Sequence, residues 1–241
     1  MMVSTLATRG VDVCTEYNVA LAIEDYVPCL LALAAFIIVA QAVRYRLPSA
    51  FPVALIGGLV VSAGGLSKAS WKLLVATGCW EFPWLEALLF PCLAFGFAAV
   101  SWAVISATKG RQVTPWPFVL FPAAAGIGSA WMSIDAGEYK NWPLLIAAAV
   151  TATVLGVMLA RFAFTSGKPS VGILFVIYLL GTNILPPLAA QPRQSLELQW
   201  AEQLTNSGVQ LCFLLGALWL REHMKSKVAA EATPSTPGVS V

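Results

Sequence analysis

The sequence predicts an all-α integral membrane protein: a seven-transmembrane helical bundle with the N-terminus outside and the C-terminus cytoplasmic. Three observations carry this expectation. Of 241 residues, 59% are hydrophobic and only 11% are charged, whereas a soluble domain carries about 25% charged residues. Mean hydropathy is accordingly high, at +0.78. Seven apolar stretches follow one another with short polar connectors between them. Lys and Arg gather on alternate connectors, which is the charge bias of cytoplasmic loops.

A helix needs roughly 20 mostly apolar residues to cross the hydrocarbon. In chain order the stretches that qualify are 24–43, 51–77, 84–107, 116–134, 142–164, 170–189 and 202–220. The second is interrupted near its end by Lys68 and Lys72. The connectors are too short for extra domains, so neighbouring helices should run antiparallel. Three regions result: an extracytoplasmic N-terminal segment (1–23), the transmembrane domain (24–222) and a disordered cytoplasmic tail (223–241). The small, polar, Pro-containing residues after Glu231 suggest that tail. Pro91 and Pro122 should kink their helices, each removing a backbone donor, and Pro186–Pro187 should end the sixth. Small residues mark close helix contacts: Ala54, Gly58 and Ser62, thickened by Gly57, Gly64 and Gly65, and then Gly126 and Gly128.

Orientation follows from charge. With the N-terminus outside, Arg44, Arg46, Lys109, Arg111, Arg161, Lys168, Arg221, Lys225 and Lys227 are cytoplasmic. Arg9, Lys68, Lys72, Lys140 and Arg193 are then outside, while Glu222 and Glu231 alone among the acids are inside. Trp71, Trp80, Trp84, Trp131, Trp142 and Trp200 fall at the expected outer interface, where indoles prefer to sit. The start of the chain lacks a basic region leading into an apolar core, so it does not read as a signal peptide.

Residues that could carry chemistry gather toward the outer leaflet. The first span opens at Glu24-Asp25, the second carries Lys68 and Lys72 on one face, and the third opens near Glu86. Asn183 lies on the sixth, and Glu202, Asn206 and Gln210 recur every fourth residue on the seventh. A charge at the membrane centre costs about 2.5–3.5 kcal/mol on insertion scales, so such groups turn inward and find partners. Two ammonium groups one turn apart need acids nearby, and Glu24, Asp25, Glu86 and Glu202 start at a matching depth. The expected ligand-binding set is therefore Glu24, Lys68, Lys72, Glu86, Asn183, Glu202, Asn206 and Gln210. A plainer reading stands beside it: the lysines snorkel and the acids cap inward-running helices.

Other chemistry is excluded or unsupported. The one histidine, His223, sits in a basic stretch just inside the membrane and reads as solvated; it cannot form a multi-histidine metal site or ligate haem in a pair. No phosphate-cradling loop, nucleophile elbow or metalloprotease helix occurs, and no cofactor or metal is expected. A net charge of +2 without a basic face argues against nucleic acid as a partner. A retinal protein needs a lysine in its last helix, and 201–220 has none. Cys29, Cys92 and Cys212 read as small apolar packers, while Cys14 and Cys79 share the outer side and are candidates for a disulfide.

The expected partner is a lipid bilayer, that of the cytoplasmic or plasma membrane. The expected function is binding or transport of a small molecule or ion by the outer polar cluster, as a transporter or sensor. Two alternatives remain: an accessory subunit of a larger membrane complex, and a membrane enzyme acting on lipid-linked substrates.

Overall fold

A computed structural model describes Cys14 and residues 17–137, 139–189 and 195–232. Within them the fold is all-helical. In order the helices are α1 (Val19–Glu24), α2 (Tyr26–Arg46), α3 (Phe51–Gly78), α4 (Pro83–Ala87), α5 (Leu89–Lys109), α6 (Trp116–Ala136), α7 (Trp142–Thr165), α8 (Pro169–Ala189) and α9 (Leu196–Ala232), with a 3-10 turn (Pro48–Ala50) before α3. Five helical segments are long and apolar enough to cross a membrane: Val19–Arg46, Pro48–Gly78, Pro83–Lys109, Trp116–Ala136 and Trp142–Thr165. Pro169–Leu185 is apolar but shorter. Helix α9 is diluted by the polar residues of its first half, so hydropathy alone does not mark it as a span.

Prolines explain the two broken spans. Pro28 has no N–H to give the Glu24 carbonyl, and its ring crowds that turn. The helix breaks at Asp25, separating α1 from α2. Pro91 acts in the same way, and the break falls at Leu88 between α4 and α5. The Ala87 carbonyl that Pro91 cannot serve accepts instead from the Tyr139 hydroxyl at 3.2 Å. Pro122 stands inside an unbroken α6. Contrary to expectation, Pro186 and Pro187 do not end α8, which continues to Ala189.

Six long helices close a ring, α2–α3–α5–α7–α8–α9, with α9 returning to pack most extensively on α2. Aromatic side chains from four of them meet inside. Phe36 of α2 lies edge-on to Phe97 of α5 at 5.9 Å and to Phe213 of α9 at 5.0 Å. Tyr178 of α8 stacks on Phe213 at 4.2 Å. Helix α6 stands outside the ring, touching only α5 and α7 appreciably. Only 11% of its most apolar stretch is buried, against 39–50% in the other four.

The glycines of α3 do what their spacing suggests. A Cβ on Gly57 would meet Ala99 Cβ at 2.8 Å and the Gly96 carbonyl at 2.9 Å. On Gly58 it would meet Phe36 Cβ at 2.5 Å, and on Gly64, Cys92 Cβ at 2.6 Å. These absences of side chain let α3 approach α5 and α2 closely. Gly126 and Gly128 correct the expectation for α6. A Cβ on Gly128 would meet nothing within 4 Å, and one on Gly126 only Phe95 at 4.0 Å. That face of α6 turns away from the ring.

The C-terminal ends of α2 and α9 are also joined. One guanidinium nitrogen of Arg46 contacts both carboxylate oxygens of Glu231, at 2.9 and 2.7 Å. Helix α9 therefore runs to Ala232, and the expected disordered tail does not begin at 223. Ala, Glu, Lys and Met sustain a helix well, and the polarity of 223–232 suits the aqueous side without breaking it. Residues 233–241 lie outside the described residues. His223 is half-buried rather than solvated, stacked on Trp219 at 4.8 Å and edge-on to Phe162 at 5.7 Å. Burial, and then Lys227 and Lys168, push its pKa below the ordinary histidine value.

Candidate functional site

The break at Asp25 builds the site. Asn18 caps α1 by accepting from the Leu21 N–H at 2.7 Å, and Pro28 stops that helix after Glu24. Glu24 and Asp25 thus leave a helix end instead of a continuous helix face. Asp25 Oδ2 meets Lys72 Nζ of α3 at 2.6 Å, with side chains only 10% and 12% exposed. Desolvating two charges costs several kcal/mol per ion, offset here by their mutual attraction. The Tyr17 ring lies 5.3 Å from the same ammonium and stands edge-on to Trp71 at 5.8 Å. Lys72 is therefore held between a carboxylate and an aromatic face.

Glu24 reaches the opposite side. Its Oε1 accepts from Ser207 of α9 at 2.6 Å, joining the first and last helices near this rim. Among the described residues its Oε2, the Trp71 indole N–H and Gln199 Oε1 are buried without a hydrogen-bond partner. Tyr26 and Ser70 share a hydrogen bond of 2.9 Å between α2 and α3. A disulfide joins Cys14 to Cys79 across 5.1 Å between Cα atoms. Cys79 ends α3 in a left-handed turn, φ 53°, and its N–H bonds back to the Leu74 and Val75 carbonyls.

Contacts unite only part of the expected set. Glu24 interacts electrostatically with Asp25 and Lys72, so these three groups form one cluster. Lys68 is half-buried one turn before Lys72, and Glu202 is buried on α9. Asn206 and Gln210 bond to each other along α9 at 3.4 Å. Asn183 is elsewhere, accepting from Thr153 of α7 at 3.1 Å and donating to the Leu179 carbonyl at 2.9 Å. Among the described residues Glu86, half-buried on α4, shares no hydrogen bond or ion pair with the cluster. Nor do any three His, Cys, Asp or Glu side chains there gather to hold a metal ion.

Tyr17 and Ser207 are the members that the sequence does not single out. Ser207 lies beside the face carrying Glu202, Asn206 and Gln210, and periodicity passed over it. Tyr17 precedes the first span, where hydropathy carries no signal. Pro28 was the available clue to the break at Asp25. Chemically, the cluster offers two carboxylates, one ammonium, two aromatic faces and several hydroxyls, largely shielded from water.

Comparison adds no relative. No protein-family model matches this chain, and no match was found among curated proteins or solved structures.

Proposed function

We propose that this chain is a seven-span membrane protein, amino end outside, whose outer polar cluster binds or transports a small molecule or ion. The supporting observation is the shielded Lys72–Asp25 pair beside Glu24, a carboxylate with one buried oxygen that no donor among the described residues serves. Buried charge in a membrane helix is costly and marks ion and substrate paths. A broken helix near the site is a further mark of transporters. The Cys14–Cys79 disulfide supports placing that rim on the oxidising, extracytoplasmic side. Glu24, Lys72 and Asp25 are the proposed centre, with Lys68 one turn away on α3. Glu86 and Asn183 are left out of it.

Native mass spectrometry of the gently purified full chain tests this reading. We expect a bound small molecule or ion on the native protein that is absent from a folded Glu24→Gln variant. A bare chain in both, or an adduct indifferent to that substitution, would reject the reading.

The accessory-subunit reading has one observation in its favour. Helix α6 presents Ile127, Trp131 and Ile134, all more than two-thirds exposed, beside the open Gly128. A retained partner chain in the same spectrum, lost when Gly128 is changed to Leu, would favour it.

A further inference from the structure

We propose that the ends of α7 and α9 form a binding site for the phosphate headgroup of an anionic membrane lipid, with Lys168, His223 and Lys227 as its cationic walls. The site lies at the end of the bundle away from the polar cluster. Helix α7 closes in a tight turn there. The Ser166 and Lys168 N–H groups donate back to the Phe162 and Ala163 carbonyls at 3.0 and 3.1 Å, and Gly167 takes φ 72°. The Lys168 carbonyl in turn accepts from the N–H groups of Val171 and Gly172 of α8, each at 3.1 Å. Lys168 is thus fixed at its backbone while its side chain stands exposed. On α9 the His223 imidazole stacks on Trp219 and meets Phe162 of α7 edge-on. Lys227 follows four residues later, on the same face of α9.

Charge here is one-sided. Among the described residues the acids at this end are Glu222, which contacts Arg221 at 2.9 Å, and Glu231, which contacts Arg46 at 2.7 Å. Arg44 of α2 is engaged over the Phe51 ring. Helix α8 carries no charged residue and α7 only Arg161. Of the charges on the elements around His223 (Arg161, Lys168, Arg221, Glu222, Lys225 and Lys227), Lys227 and then Lys168 act on the imidazole. Neither lysine has an ion pair among the described residues. Three basic groups therefore converge with no acid between them, and a bound anion would relieve their repulsion.

Depth identifies that anion. Trp219 and Phe162 are rings of the kind that settle at the membrane interface. One turn of α9 carries His223 about 6 Å past Trp219, and a second carries Lys227 as far again. The headgroup layer is about 5–7 Å thick on each face, which sets the imidazole at the level of lipid phosphates. A phosphodiester offers anionic oxygens to both ammonium groups and to the imidazole N–H. On the topology proposed above this end faces the cytoplasm, where basic pockets between helices suit anionic headgroups.

His223 is the only histidine in the chain, so its imidazole reports the site without ambiguity. The experiment follows the imidazole NMR shift against pH on the full chain, purified without a histidine tag in an uncharged detergent. Phosphatidylglycerol, phosphatidylcholine or inorganic phosphate is added at matched concentration. An anionic phosphate seated beside the imidazole favours its charged form. Phosphatidylglycerol should therefore raise the His223 pKa saturably, its proton affinity growing about tenfold. By linkage the lipid should bind about tenfold more tightly below that pKa than above it. The rise should be lost in K168Q/K227Q and kept in R161Q/K225Q, which removes as much charge outside the site. All four side chains are exposed, so both variants should keep the fold. No rise with phosphatidylglycerol overturns the proposal. So does a rise that survives in K168Q/K227Q, which reflects surface potential alone, or one that is lost in R161Q/K225Q. An equal rise with phosphatidylcholine or inorganic phosphate overturns it as well, because the preferred anion is then not an anionic lipid. None of these residues belongs to the outer cluster, so this test and the native-mass test fail independently.

Discussion

Lys72 and Asp25 form the most consequential pair in the molecule, because neither charge has bulk water to fall back on. Removing one partner strands the other, at a cost of about 3–5 kcal/mol for a buried pair. Asp25→Asn should therefore lower thermal stability in detergent sharply. Adding Lys72→Met removes the stranded ammonium as well and should restore most of the loss. Thermal unfolding of both singles and the double, read as a double-mutant cycle, measures the coupling. Additive losses would show that the pair is not coupled. The sequence placed Asp25 among four counter-ions for the lysines. Pro28 selects it, because the helix break turns Asp25 toward α3 and Glu24 toward α9.

At the scale of elements, the two glycine sets of α3 and α6 look alike in sequence and behave differently in the fold. A Cβ on Gly96 of α5 would meet the Gly57 carbonyl at 2.7 Å and the Val61 nitrogen at 2.9 Å. Backbone cannot yield as a flexible side chain can. Gly96→Ala should thus cost about 1–3 kcal/mol, the usual price of overpacking. Gly128→Ala meets open space and should leave stability unchanged or raise it by up to about 1 kcal/mol, since Ala favours a helix interior over Gly. Melting temperatures of the two variants in one detergent check the contrast. Equal losses would mean that the Gly128 face of α6 is packed against a neighbour. Spacing could not separate these sets, since small-xxx-small patterns state that a helix can be approached, not that a neighbour approaches it.

For the whole molecule, the pairing of the first and last long helices closes the ring and completes the site. Glu24 and Ser207 meet near one rim, and Arg46 and Glu231 meet at the far end. Cysteines placed at Glu24 and Ser207, in a background lacking Cys29, Cys92 and Cys212, should be joined by a short bis-maleimide. Mass spectrometry of digested protein would show the linked peptides. Folded protein without that link would refute the meeting of α1 and α9 at this rim.

By itself the sequence determined that the chain is helical and apolar enough for lipid, and roughly where each helix lies. Each of these is local, set by hydropathy over some 20 residues, by proline's missing donor and by capping. Glu24 and Lys72 were legible because charge in an apolar run stands out. Tertiary structure alone decided which of these groups meet. It joined Glu24 to Ser207 and Cys14 to Cys79, and it sent Asn183 to Thr153 instead. Such pairings depend on which helices become neighbours, and backbone contact across glycines of separate helices sets that, beyond the reach of any local pattern.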